Sequence, residues 1–158
     1  MSVSKPALDP HTVEVRSRSG YPEPYRSRVL PRHKRQLGEA LGLTHIGINL
    51  TTLPPGKESS MRHWHTHEDE FVYVLAGEVV LRTDGGEQRL TAGMCAGFAA
   101  GSRDGHQLIN RSAQPAVYLE VSNRHPDDAG HYSDPDVDLV WNAPHARGRF
   151  TRRDGTSY

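Results

Sequence analysis

Residues 56–77 read Gly-Lys-Glu-Ser-Ser-Met-Arg-His-Trp-His-Thr-His-Glu-Asp-Glu-Phe-Val-Tyr-Val-Leu-Ala-Gly. One residue separates His63 from His65, and Glu70 follows after four more. Because alternate side chains of a β-strand point to the same face, a strand over 61–67 would place both imidazoles on one face, about 7 Å apart. Two imidazoles so placed can bind one metal ion, and a carboxylate on the next strand can complete the site. A donor set of imidazole and carboxylate predicts a transition-metal site.

Two other interpretations of the histidines stay open at this point. Three histidines within five residues can occur by chance in a chain that has ten, or can form a pH-sensitive surface patch. His67 also permits a second register with His65, but that register leaves only two residues before Glu70, so the first register is preferred. We expect His67, Glu68 and Asp69 to lie in a solvated turn, from which one side chain could orient a ligand imidazole.

The bulk composition bounds the class of protein. A chain of 158 residues is long enough for one domain with a sizeable core. Lys and Arg number 19, as do Asp and Glu, so no basic excess favours nucleic acid or an anionic membrane. No apolar run approaches a membrane span, and the N-terminus has no apolar signal core. The single cysteine, Cys95, fits a reducing compartment. We therefore expect a cytoplasmic domain that binds neither nucleic acid nor membrane.

Short strands with turn signals between them recur along the middle of the chain. The predicted strands cover residues 46–53, 61–67, 71–75, 79–83, 88–90, 94–98, 107–110 and 116–121. Pro54-Pro55-Gly56 and Asp84-Gly85-Gly86 are typical turn sequences. Residues 11–15 and 137–141 fit further short strands, and only 35–41 suggests a helix. Strands at intervals of eight to twelve residues favour an all-β sandwich or barrel.

Polar, proline-containing segments lie on both sides of these strands. Within one domain, we divide the chain into an N-terminal arm (1–40), a β-barrel (41–125) and a C-terminal extension (126–158) packed on the barrel. The arm contains a basic cluster, interpreted as a solvated surface rather than an anion site, of Arg26, Arg28, Arg32, Lys34 and Arg35. Because sheet edges must be covered, we expect the arm and the extension to cover them across a two-fold axis, in a homodimer.

Residues 93–110 carry a second pattern with a histidine. Gly93 is followed by Gly101, then by His106 after four further residues, and by Asn110 after three more. The positions that form the first pattern are Gly56, His63, His65, Glu70 and Gly77. In this order and at this spacing, the two patterns resemble the two motifs of the cupin superfamily, and with the strands between them they cover about residues 44–121.

The resemblance implies a cupin jelly-roll barrel, also called a double-stranded β-helix. It also implies one divalent transition metal per chain (Fe, Mn, Ni, Co or Zn), with the ligands His63, His65, Glu70 and His106. Ala99 stands where the second motif usually has proline, and four residues rather than two separate Gly101 from the histidine. These departures change loops and leave the ligands in place. Four protein ligands on an ion that accepts six leave room for a substrate, as a catalytic metal requires.

The resemblance permits a metal-dependent enzyme that acts on a small polar metabolite, of dioxygenase, sugar or sugar-phosphate isomerase, decarboxylase or lyase type. The candidate catalytic residues are Glu70, Tyr73 and Arg103. The alternative is a small-molecule binding or sensing module without catalysis. A phosphate substrate would need an inward cation, for which we consider Lys57, Arg82 and Arg103.

Overall fold

The computed structural model describes residues 6–142 and 149–158. Residues 1–5 of the predicted arm and 143–148 of the predicted extension lie outside this part. Within the described part, β-strands account for most of the regular structure, which confirms the predicted all-β class. No helix there combines the length and the apolar surface that are needed to cross a membrane.

The described elements are short and follow one another closely. The helical ones are a 3-10 helix (Pro10–Thr12), α1 (Tyr25–Val29) and α2 (Leu37–Ala40). The strands are β1 (His33–Gln36), β2 (Ile46–Leu53), β3 (His63–His65), β4 (Glu70–Ala76), β5 (Glu78–Thr83), β6 (Gly86–Thr91), β7 (Cys95–Phe98), β8 (Gln107–Ile109), β9 (Ala116–Asn123), β10 (Ala129–Tyr132), β11 (Val140–Asn142) and β12 (Arg149–Thr151). Turns between them carry most of the glycines with positive φ.

The strands of the described residues form three antiparallel sheets, ordered β1-β2-β9-β4-β7, β6-β5-β8 and β12-β11-β10-β3. In the five-stranded sheet, β9 lies between β2 and β4 and pairs with both along most of its length. Strand β5 pairs with both β6 and β8. Strands that are distant in sequence are therefore neighbours in the sheets. This order is that of a jelly roll, which confirms the predicted cupin fold.

Strand β4 shows how the sequence pattern sets the two faces of the large sheet. Val72 and Val74 are buried, whereas Phe71, Tyr73 and Leu75 are exposed. Because side chains alternate across a strand, the inward residues point into the barrel and the outward ones form an apolar outer face. The apolar core of the barrel consists of such inward residues: Leu53, Val72, Val74, Val79, Leu81, Leu90, Leu108, Ala116 and Tyr118.

The turn from β4 to β5 requires the glycine that ends the first motif. Gly77 has a φ of 72°, in the left-handed region that other residues rarely adopt. A Cβ atom at this position would lie 2.7 Å from the carbonyl oxygen of Pro115 and 3.0 Å from Cα of Ala116. Any larger residue would therefore push apart the turn and the start of β9.

The two ends of the chain meet in a second apolar cluster outside the barrel core. It consists of Tyr21, Tyr25, Val29, Met61, Val137 and Leu139. Met61 is fully buried and lies just before β3, so the cluster packs against the segment that carries the histidines. Strand β10 pairs directly with β3 and places Tyr132 opposite His63. Residues from both ends of the chain thus form walls around β3.

Two predicted elements of the arm differ in the structure, and α1 (Tyr25–Val29) was not predicted. The helix expected over 35–41 is reduced to Leu37–Ala40, because His33–Gln36 form a strand that pairs with β2. The strand expected over 11–15 is absent, and that segment begins inside the 3-10 helix. The edge of β2 offers unpaired backbone groups to the arm, and this tertiary pairing outweighs local propensity.

Candidate metal site and adjoining cavity

Strand β3 and the segment before β8 bring three histidines together. His63 and His65 lie on one face of β3, which is shorter than the strand predicted over 61–67. His106 pairs with His63 through two backbone hydrogen bonds of 3.1 and 2.8 Å. The ring centroids of His65 and His106 lie 5.0 and 4.7 Å from that of His63. The histidines of the two motifs therefore meet in space.

Glu70, the first residue of β4, points into this histidine cluster. Its Oε2 atom lies 2.8 Å from Nε2 of His106 and 3.6 Å from Nε2 of both His63 and His65. Candidate ligand atoms of His63, Glu70 and His106 lie within 4.8 Å of one another. Oε2 is nevertheless buried without a hydrogen-bond partner of suitable geometry among the described residues. Three imidazole nitrogens around an unsatisfied carboxylate oxygen form a donor set that fits a transition metal.

The second ring nitrogen of two histidines is held by the surrounding chain. Nδ1 of His63 lies 2.9 Å from the carbonyl oxygen of Met61, and Nδ1 of His65 lies 2.6 Å from Oδ2 of Asp128. A proton on Nδ1 would be donated to these oxygens, which leaves the lone pair of Nε2 directed toward Glu70. Histidines that bind metals commonly have this arrangement.

Asp128 is a residue of the site that the sequence pattern does not reveal. Its buried carboxylate also accepts hydrogen bonds from the backbone N–H groups of His67 and Glu68, at 2.8 and 3.2 Å. Burial would raise the pKa of Asp128, but these hydrogen bonds and His65 hold that pKa below its usual value. The ring of His67 is exposed and stacks on that of His125. Asp128 lies 63 residues after His65, so no local spacing points to it.

Charges within the cluster stabilise one another. Burial would raise the pKa of Glu70, but the neighbouring imidazoles of His106 and His63 outweigh burial and hold the pKa well below its usual range. Burial would lower the pKa of His63, but Glu70 outweighs burial and raises it. Burial lowers the pKa of the His106 imidazole. The cluster therefore keeps an ionised carboxylate inside the barrel, where it can bind a cation.

Phe98 holds the ring of His106 in place. The two rings are stacked, with centroids 3.6 Å apart and an interplanar angle of 5°. Phe98 lies opposite Glu70 in the pairing of β7 with β4. The same register that turns Glu70 inward therefore also positions the aromatic ring against the histidine.

A cavity of about 290 Å³ borders His63, His65 and Glu70. Its polar lining residues include Arg32, Lys34, Asn49, Ser59, Ser60, Glu68, Glu120, Ser122 and Arg124. Pockets for small molecules have volumes of roughly 300–1,000 Å³, so this cavity suits a small ligand. A polar molecule bound there would lie against both the histidine cluster and these side chains.

Lys34 and Glu120 form an ion pair of 2.6 Å at the wall of the cavity, and Oγ1 of Thr51 donates to Glu120 at 2.5 Å. Burial would raise the pKa of Glu120, but the charges of Lys34 and Arg32 hold it below its usual value. Burial lowers the pKa of Lys34. The interpretation of the basic cluster as a solvated surface is wrong for Arg32 and Lys34. The arm pairs with β2, which turns these alternate side chains toward the cavity.

The structure does not bring the other sequence-based candidates to the histidine cluster. Tyr73 is exposed on the outer face of β4, opposite the face that carries Glu70. Arg103 is exposed in the loop before β8. Among the described lining residues of the cavity, Arg103, Lys57 and Arg82 are all absent. A catalytic role for Tyr73 or Arg103 stays a prediction.

The fold and the histidine–carboxylate cluster define a class of protein, and comparison with known proteins agrees with it. A sequence profile of the family described as Cupin domain matches residues 49–122. A Silicibacter pomeroyi protein, described as a sugar phosphate isomerase from a cupin superfamily, is 40% identical. The alignment covers 96% of each chain with a TM-score of 0.90. This chain belongs to the cupin superfamily.

Of two further relatives, one carries a similar name and the other a different one. An Acidithiobacillus ferrooxidans protein, which carries a provisional assignment as a sugar phosphate isomerase, is 28% identical over 80% of each chain, with a TM-score of 0.71. The tetracenomycin polyketide synthase protein TcmJ of Streptomyces glaucescens is 31% identical over 114 residues. That alignment covers 66% of this chain and 74% of TcmJ. Proteins similar to this chain therefore carry names that refer to sugar phosphates in two cases and to polyketide synthesis in one.

Proposed function

We propose that this chain is a metal-dependent enzyme that converts a small polar metabolite. The proposal rests on the three Nε2 atoms that lie 2.8 to 3.6 Å from the buried Oε2 atom of Glu70. The proposed ligands are His63, His65, Glu70 and His106. A divalent ion (Fe, Mn, Ni, Co or Zn) held there would supply Lewis-acid chemistry to a substrate oxygen.

Isomerisation of a sugar or sugar phosphate is the reaction type that the comparisons favour. Two solved relatives carry such a name, one of them with 40% identity over almost the whole chain. A sugar presents several hydroxyl groups, and the cavity offers hydroxyl, amide and charged side chains that can hydrogen-bond to them. Dioxygenase and lyase reactions use metal sites of the same kind. Measurement of turnover distinguishes these reactions from isomerisation.

Glu120 is the cavity carboxylate that we propose to move a proton. It lies outside the histidine cluster, and Lys34 and Thr51 hold it ionised through contacts of 2.6 and 2.5 Å. An ionised carboxylate beside a bound sugar can accept a proton from the substrate and return it to a neighbouring atom. Lys34 would stabilise negative charge that develops on the substrate during this transfer.

The first experiment is elemental analysis of untagged protein, with wild type beside His63→Ala/His65→Ala. We expect about one metal equivalent per chain in wild type and its loss in the double variant. His45→Ala, at an exposed position outside the cluster, is the matched control and should keep the metal. If neither wild type nor control contains metal, and dialysis restores none, the proposal is contradicted.

The second experiment measures turnover by the metal-loaded protein. Proton NMR would follow a panel of aldose and ketose phosphates, and an oxygen electrode would report dioxygenase activity. We expect interconversion by wild type and none by His106→Ala. Ligand binding without turnover, with the same affinity in metal-free protein, would instead support the alternative of a binding or sensing module.

A polyketide intermediate is the second candidate substrate, because TcmJ is 31% identical to this chain and is named as a polyketide synthase protein. The charged lining of the cavity beside Arg32 and Lys34 favours a more polar molecule. Retention of a polycyclic aromatic probe by wild type, with no binding of sugars, would reverse this preference.

We also propose that the chain forms a homodimer and acts in the cytoplasm. In the described residues, the arm and the extension pair with strands of their own chain, through β1 with β2 and β10 with β3. Support for a dimer therefore comes from the exposed apolar side chains on the outer face of β4: Phe71, Tyr73 and Leu75. Light scattering at micromolar concentration tests this proposal, and a monomer would contradict it. Placement in the cytoplasm stays a prediction.

A further inference from the structure

Arg32 lies at the wall of the cavity that borders the histidine cluster. It also lines a neighbouring cavity of about 360 Å³, together with Arg18, Tyr21 and Tyr132. Both cavities border His63. A ligand in contact with Arg32 would therefore lie beside the candidate metal ligands.

The guanidinium group of Arg32 forms no ion pair in the described part of the chain. Its Nε atom is buried and has no hydrogen-bond acceptor among residues 6–142 and 149–158. All 19 Asp and Glu residues of the sequence belong to that described part, and none forms an ion pair with Arg32. Residues 1–5 and 143–148 contain no Asp or Glu. Glu120 feels the charge of Arg32 at longer range, but no carboxylate side chain of the described residues contacts the guanidinium group.

Two other cations at the wall of the first cavity differ from Arg32 in this respect. Lys34 pairs with Glu120 at 2.6 Å, and Arg124 lies 3.6 Å from Glu68. Removal of a charged group from water is unfavourable unless an opposite charge or hydrogen bonds compensate for it. An unpaired guanidinium at the wall of a cavity is therefore explained by an anion that the cavity receives.

We propose that Arg32 binds the phosphate group of a phosphorylated substrate. This inference rests on the proposed function, because it takes the same cavity as the substrate site. A guanidinium group presents planar N–H donors that match two phosphate oxygens. A phosphate monoester carries a charge of about −1.5 to −2 at neutral pH. Arg32 and the exposed Arg18 line one cavity, and two positive charges suit this anion better than a carboxylate with a single charge.

The test is isothermal titration calorimetry with inorganic phosphate, on metal-free and on metal-loaded protein. We expect Arg32→Gln to weaken phosphate binding at least about tenfold, because a charge-assisted pair is lost. Arg32→Lys keeps the charge but loses the planar fork, so we expect an intermediate affinity. Arg111→Gln is the matched control, since Arg111 is exposed and pairs with Glu87 at 2.6 Å, and it should bind phosphate like wild type.

Thermal unfolding separates a binding role of Arg32 from a structural one. An unpaired charge destabilises the ligand-free protein, so the Tm of Arg32→Gln without phosphate is expected at or above that of wild type. Phosphate should raise the Tm of wild type but not that of Arg32→Gln. If Arg32→Gln does not fold, that result counts against the proposal. The phosphate affinity is then measured on Arg32→Lys.

Three results of the titration would overturn the phosphate assignment. They are the absence of phosphate binding by wild type, equal phosphate affinity in wild type and both Arg32 variants, and acetate binding as tight as that of phosphate. The last result would assign Arg32 to a carboxylate substrate instead.

Titration of the metal-free protein with phosphate tests the phosphate site independently of the metal site. If phosphate binds through Arg32 in a protein that never takes up metal, the phosphate site is supported and the metal-dependent enzyme is contradicted. If Arg32→Gln binds metal and phosphate like wild type, the phosphate site is contradicted and the metal site is not.

Discussion

The two ends of the barrel interior are built on the same strands and differ in chemistry. On the inward face of β4, Val74 and Val72 belong to the apolar core, and Glu70 belongs to the histidine cluster. On β9, Tyr118 lies in the core and Glu120 in the ion pair at the cavity wall. Burial of apolar side chains stabilises the apolar end, whereas the polar end keeps charges that burial disfavours. The comparison indicates that one end stabilises the barrel so that the other can carry a binding site.

The buried polar residues of the two motifs differ in their hydrogen bonding. Asn110 of the second motif is buried beside the core, where its amide donates to the carbonyl oxygen of Leu53 at 2.8 Å and accepts from Ser112 at 2.8 Å. At the polar end, Oε2 of Glu70 and Nδ1 of His106 are buried without a hydrogen bond of suitable geometry in the described residues. Asn110 therefore has a structural role, whereas the unsatisfied atoms of the histidine cluster are available to a ligand.

The largest effect on stability is expected at the apolar end, from Leu53→Ala. Leu53 is fully buried. Its truncation loses burial and leaves a cavity, which costs about 2–5 kcal/mol of unfolding free energy. Urea denaturation measures this loss, with Leu75→Ala on the exposed face of β4 as the control. The folded variant should keep its metal content, and loss of the metal would show that the two ends are not independent.

Asp128→Asn should produce the next largest effect, at the polar end and without removal of a ligand. An amide NH₂ toward Nδ1 of His65 would favour a proton on Nε2, the atom that faces Glu70. We expect metal affinity to fall about 10- to 100-fold, as for other residues that orient metal-binding histidines. Competition with a chelator measures the affinity, and Asp127→Asn at the exposed neighbouring position is the control. An affinity within about twofold of wild type would disprove the orienting role.

Lys34→Met should reduce the unfolding free energy by a smaller amount. It breaks the ion pair with Glu120, which lies at the boundary between the two ends. The side chains of Lys34 and Glu120 remain 25% and 23% exposed, so water screens the charge that is left behind. We expect a loss of about 1 kcal/mol in unfolding free energy, and a value near wild type for Lys34→Met/Glu120→Leu. Denaturation of both single variants and the double variant completes the cycle. Additive losses would mean that the two side chains are not coupled.

The smallest effect is expected from Tyr73→Phe, on the outer face. The hydroxyl group lies on the side of β4 opposite Glu70, so its removal should leave metal content and turnover unchanged. The unfolding free energy should change by less than about 0.5 kcal/mol. A tenfold or greater loss of turnover would instead support Tyr73 as a catalytic residue, against its position in the fold.

Local geometry explains which part of the site could be predicted from the sequence. The alternation of His63 with His65 and the spacing to Glu70 indicate shared faces, because side-chain direction in a strand depends only on neighbouring residues. The same rule predicts the buried Val72 and Val74 of β4. Strand boundaries were less predictable, as the helix expected over 35–41 shows, because tertiary pairing decided them.

The sequence by itself determined the all-β class, the inward valines and the shared face of His63 and His65, since each depends on residues that are close together in the chain. Only the tertiary structure decided that Lys34 meets Glu120, 86 residues away, and that Asp128 orients His65 across 63 residues. The composition of the basic cluster does not show whether its side chains face solvent or the cavity. The pairing of β1 with β2 turned Lys34 toward the candidate site, with Arg32 two residues before it, because backbone hydrogen bonds at a sheet edge do not depend on the side chains that they position.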